Sequence, residues 1–185
     1  MEYGNVIWHP KHKTDEELLE SVQRRTSKLI PELSKLDYIE RLKKLNLPSL
    51  YYRRARGDMI ECYKYLSGMY TITQDILPRD NKAMTRGHSL KLLKPSAKTS
   101  TRANFFSVRV VNAWNSLPEE VVSAPSLNSF KNGLDKLWAE YKFTLSSEWF
   151  KTPNPQMRTR KTSQTCENNK EDNTSEDISE RPIGD

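Results

Sequence analysis

The chain has few of the residues that staple or anchor a fold, and each shortage excludes something. Cys62 and Cys166 are its only cysteines, too few and too far apart for a disulfide framework. Its six glycines form neither a phosphate-cradling loop nor a Gly-x-Ser-x-Gly elbow, so nucleotide-loop and serine-hydrolase chemistry have no foothold. Of three histidines, His9 and His12 lie close together without a cysteine or third histidine beside them, which argues against a metal site. No apolar run approaches a membrane span, and the first residues lack a signal peptide's apolar core. The expectation is an intracellular chain, nuclear or cytoplasmic and not secreted, with no membrane partner. No two aspartates are adjacent, whereas two-metal nucleotidyl transfer needs closely placed carboxylates. No catalytic residue, cofactor, metal or small-molecule substrate is expected.

Apolar residues make up 35% of the 185, low for a globular chain, so a modest core and a disordered portion are both expected. The formal charge of +6 is unevenly spread. Residues 151–185 balance at −1, leaving +7 on the rest. From Arg79 to Arg109 there are eight basic residues and one acid, Asp80. Clustered cations favour a polyanion, because each phosphate neutralised releases condensed counterions.

The patterning predicts a mainly α fold: a small helical domain of about five short amphipathic helices, a basic irregular segment and a disordered C-terminal tail. A first helix starts at Thr14, which with Glu17 spells a capping box, and stops before Pro31. Leu18, Leu19, Val22, Leu29 and Ile30 are expected inward, with Arg24, Arg25 and Lys28 outward. A second starts at the Asp37/Glu40 box, buries Ile39, Leu42 and Leu45, and stops at Asn46. Pro48-Ser49 opens a third, Leu50 to about Leu66, with Leu50, Met59, Ile60, Tyr63 and Leu66 inward. Gly57 inside it signals a close contact or kink, and Gly68 should end it. These make an N-terminal cluster, 1–68. A linker, 69–101, follows, in which only Ser89–Leu93 has strand character.

Residues 102–149 form the densest apolar pattern. Phe106, Val110 and Trp114 recur every four residues beside Phe105, Val108 and Val111, until Leu117-Pro118 ends the helix. Ser126 caps the next, whose Leu127, Phe130, Leu134, Leu137 and Trp138 share a face. The two read as a helical hairpin closing on itself. Residues 150–185 have no apolar periodicity and read as a charge-segregated disordered tail.

The stretch RANFFSVRVVNAWNSLPEEVVSAPSLNSFKNGLDKLW (Arg102–Trp138) resembles the C-terminal region of non-LTR, LINE-type, jockey-like retrotransposon polyproteins, downstream of the reverse transcriptase core. EYGNVIWHP (Glu2–Pro10), ESVQRRTSKLIPEL (Glu20–Leu33), ERLKKLNLPSL (Glu40–Leu50), RRARGDMIECYK (Arg53–Lys64) and TRGHSLKLLKP (Thr85–Pro95) extend the resemblance upstream in the family's order. It covers about residues 2 to 140. The resemblance implies a piece of an RNA-directed DNA polymerase, following its palm and thumb-like helices. The family's aromatic-x-Asp-Asp turn and its terminal zinc knuckle are both absent, so the fragment would not be catalytic alone.

Two groups of cations are the candidate nucleic-acid contacts. Arg53, Arg54 and Arg56 on the third helix carry guanidinium forks that match phosphate oxygens; a solvated face paired with Asp58 and Glu61 is the alternative. Arg79, Arg86, Lys91, Lys94, Lys98, Arg102 and Arg109 flank irregular backbone able to follow a strand. Phe105 and Phe106 read as core residues rather than base-stacking platforms, and His88 as an RNA contact or part of a Gly87 turn. RNA or DNA, through its phosphate backbone, is the expected partner, with the missing polymerase core as another. The competing expectation is a structural or protein-interaction helical module packing on the polymerase thumb, or the relic of a decayed element.

Overall fold

Local capping chemistry sets several of the helix ends. In the computed structural model, which describes residues 4–71, 75–80 and 87–151, the chain begins with α1 (Lys13–Lys28) and a short 3-10 turn (Pro31–Leu33). Next comes α2 (Tyr38–Lys44), whose N-terminus carries the full capping box: Asp37 accepts from the Ile39 amide at 3.2 Å, and Glu40 accepts from the Asp37 amide at 3.3 Å. It ends in a Schellman motif. Asn46 has φ +48°, and the Leu47 and Asn46 amides donate to the Leu42 and Lys43 carbonyls. Ser49 then caps α3 (Leu50–Leu66), accepting from the Tyr52 amide, and a second Schellman motif closes it at Gly68, φ +69°. The remaining elements are α4 (Ser100–Ala103), α5 (Phe106–Asn115), α6 (Glu119–Val122), α7 (Leu127–Leu137, capped by Ser126) and α8 (Glu148–Lys151). The described part is mainly helical, and five helices have seven residues or more.

α3 is the axis of the core. Met59, Cys62 and Tyr63 on it meet Val110, Val111 and Trp114 of α5, and Phe130, Leu134 and Trp138 at α7. Tyr63 stacks on Phe130 with centroids 4.4 Å apart. α3 packs against both α5 and α7, and Trp114 of α5 also meets Phe130 of α7 with ring centroids 6.0 Å apart. At Gly57 no tight approach is found: a Cβ there would stand 3.7 Å from the Asn5 amide, an ordinary van der Waals contact, and that amide donates to Arg54 O and Asp58 Oδ1.

Against the expected orientation, α1 is turned over. Leu18 is 66%, Val22 46% and Leu29 81% exposed, while Glu16, Glu20, Gln23 and Ser27 face inward. The Thr14/Glu17 box is not made; His12 is the N-cap residue, without a side-chain bond. The cause is the surface α1 meets, which is polar. The Tyr38 hydroxyl and the Leu50 amide at the start of α3 donate to Glu20, at 2.5 and 2.9 Å. Gln23 donates to Pro48 O, Ser27 accepts from Arg41, and Ser147 donates to Glu16. Buried polar groups must be paired, and that demand outweighs the burial of three apolar side chains worth about 1.5–3 kcal/mol each. Phe105 also departs from expectation. It is the N-cap of α5 and half-exposed, whereas Phe106 is buried.

The strand expected at Ser89–Leu93 reduces to one antiparallel bridge between Arg79 and Leu92. Side chains hold this segment onto α5. Asn115 pairs with both the amide and the carbonyl of Leu92, each at 2.9 Å, and the Trp114 indole donates to Leu90 O. The tail from residue 152 onward lies outside the described residues. No helix of the described residues is long and apolar enough to cross a membrane.

Candidate nucleic-acid interface

The nine described candidate cations divide into internal and surface groups. Arg54 is buried against the Tyr51 ring, with Nε and Nη1 making no hydrogen bond. Burial pulls its guanidinium below the usual value, opposed by nearby Glu16, Glu20 and Asp58. It presents no fork to an external phosphate. Arg56 forks onto Asp135 at 2.6 and 2.8 Å, and Arg53 reaches Gln23 at 3.4 Å. The third-helix arginines thus knit α3 to α7 and α1, and Arg56 pairs with Asp135 rather than with Asp58 or Glu61.

Arg109 is also internal. It grips the fully buried Asp58 through Nη2 at 2.8 Å and Nε at 2.9 Å, and donates to the Asn104 and Asn5 carbonyls. Burial pushes the Asp58 carboxyl above its usual range, and the Arg109 fork works against that shift. Arg79 donates to Leu66 O, and Lys91 is half-buried. Arg86 lies outside the described residues. Lys94, Lys98 and Arg102 are exposed, with the Arg102 guanidinium 5.2 Å over the Phe105 ring. His88 is buried and bonds Trp114 O through Nε2 at 2.9 Å, and burial lowers its pKa. It braces the loop rather than facing outward.

What the surface group adjoins is a cleft of about 880 Å³ between residues 9–12, the 94–104 segment, the start of α5 and α8. Lys11, Lys94, Arg109 and Lys151 line it together with His9 and His12, and Ser96, Ser100, Ser147 and Asn104 add hydrogen-bonding groups. Among the described residues that line it there is no aspartate or glutamate. Arg109 and Lys151 are compensated from behind, by Asp58 and by Glu16 at 3.6 Å. Lys94 and Lys11, the latter with a single 3.3 Å bond to Thr101, are left facing solvent. Burial, with Arg109, Arg54 and Lys151 nearby, drives the His9 pKa down to about 3, so His9 is neutral at pH 7. No family model, curated protein or solved structure matches the chain.

Among the described residues of the sequence-predicted basic segment, Lys94 and the internally committed Arg109 are the ones that line the cleft. Lys11, His12 and Lys151 complete it from opposite ends of the described chain. Their sequence neighbourhoods carry no signal beyond their charge, because only the fold brings them together.

Proposed function

We infer that the chain is a nucleic-acid-binding accessory region, holding RNA or DNA by its phosphate backbone. The observation that carries this reading is the basic cleft, with no acid among the described residues that line it, flanked by the exposed Lys98 and Arg102. Phosphates are the chemistry that such a lining selects, and an irregular wall at 94–99 lets a single strand be followed. In this reading the chain is the C-terminal part of a LINE-type reverse transcriptase, works inside the cell, and is not catalytic by itself. What supports that placement is the ordered set of motifs from Glu2 to Trp138 and the lack of an Asp-Asp pair. The test is a fluorescence-polarisation titration of the full chain on labelled single-stranded RNA and DNA. Lys11→Gln, Lys94→Gln and Arg102→Gln together should weaken binding at least tenfold, and Arg56→Gln, whose guanidinium belongs to Asp135, should not. Equal affinities for wild type and triple variant would refute the assignment.

A second reading has its own support. The outward apolar face of α1 fits a helical module that packs on another polypeptide, such as the polymerase thumb.

A further inference from the structure

The seam on α1 has a pattern that points to one occupant. Asp15, Leu18, Val22, Arg25 and Leu29 follow one another at three- and four-residue steps, so they share the side facing away from the fold. All five are exposed. An acid heads this row and a base stands near its end, with leucine and valine between. A row of that kind is complementary to itself when reversed. We propose that α1 is a homodimerisation helix, pairing antiparallel with α1 of a second copy of this chain.

Setting Leu18 against the partner's Val22 places Asp15 against the partner's Arg25, and the twofold axis repeats both contacts. Parallel pairing would set Asp15 beside the partner's Asp15 and Arg25 beside the partner's Arg25, so repulsion selects the antiparallel form. The 16 residues of α1 span about 24 Å, enough for the paired stretch from Asp15 to Arg25, and Leu29, at the C-cap, lies beyond it. Helix against helix buries on the order of 1,000 Å², at the weak end of specific interfaces, so a dissociation constant of roughly 10–100 µM is expected. The proposal stands on α1 alone and does not depend on what the cleft binds.

The experiment is sedimentation equilibrium of the full, nuclease-treated chain over a concentration series. Wild type should fit a monomer–dimer equilibrium in the stated range. Asp15→Arg and Arg25→Asp should each weaken the dimer about tenfold or more, and combining them should restore it to within about threefold. Val22→Glu should leave a monomer. All three side chains point into solvent, so far-ultraviolet circular dichroism should show unchanged helix content in every variant. A wild type that stays monomeric at about 500 µM, or a double swap that fails to restore association, would overturn the proposal and leave the seam to a different polypeptide.

Discussion

Removing the guanidinium of Arg109 should damage stability far more than it damages surface charge. Arg109→Met deletes both charge-assisted bonds to Asp58 and the donors to the Asn104 and Asn5 carbonyls, while keeping most of the side-chain volume. Asp58, with none of its surface accessible, would keep only the Asn5 amide at 2.8 Å. Breaking one side of such a pair costs about 3–5 kcal/mol, because the abandoned charge must be neutralised or rehydrated. Against a total of about 5–15 kcal/mol, that is a large share. For a domain of this size the melting temperature should drop by roughly 10 °C. Urea unfolding followed by tryptophan fluorescence reads this directly, since Trp114 and Trp138 are in the core. Adding Asp58→Leu to Arg109→Met should recover more than half of the loss, because no charge is then stranded. By contrast, Lys94→Met should change stability by no more than about 0.5 kcal/mol. A loss below about 1 kcal/mol for Arg109→Met, or a double variant worse than the single, would refute the buried-pair reasoning.

Other outcomes follow from the same contacts. His9 and His88 have folded pKa values below the ordinary 6.5. The unfolded chain therefore gains protons first as pH falls. Their stabilisation is complete above pH 6.5 and drains away below it, His9 alone accounting for about 2 kcal/mol by pH 5 given its value of about 3; urea midpoints at pH 7.5 and 5.0 measure this. Glu20→Ala should cost about 2–3 kcal/mol in the same assay, since it strands the Leu50 amide and the buried Tyr38 hydroxyl. Gly68→Ala should cost about 1 kcal/mol by thermal melting, because the φ of +69° strains any Cβ although no atom lies within 4 Å of it.

The parts of this fold legible in the sequence are those decided by neighbours in the chain. Asp37 with Glu40, Ser49, Asn46, Gly68 and Ser126 each act within a few residues, and each does what its chemistry suggests. The α5 and α7 stripes were equally readable, since Val110, Trp114, Phe130 and Leu134 all bury. The orientation of α1 was not. Apolar spacing assumes that leucines turn inward, and nothing near Glu20 in the chain announces Tyr38 or the Leu50 amide as its partners. Arg54 and Arg109 show the same limit for the site: a count of cations does not separate a guanidinium locked to a buried carboxylate from one facing solvent. Lys94, Lys98 and Arg102 were legible as surface charge, whereas Lys11 and Lys151 joined them only through the fold.

The central claim, that the cleft and its flanks exist to meet phosphate, is tested most directly by the salt dependence of single-strand binding. With Lys11, Lys94, Lys98 and Arg102 each neutralising one phosphate, the logarithm of affinity should fall against that of salt with a slope of about −3. Going from 50 to 200 mM salt would then cost about 50-fold, and Lys11→Gln with Lys94→Gln should halve the slope. A slope near zero, or one that these two substitutions leave unchanged, would contradict the account.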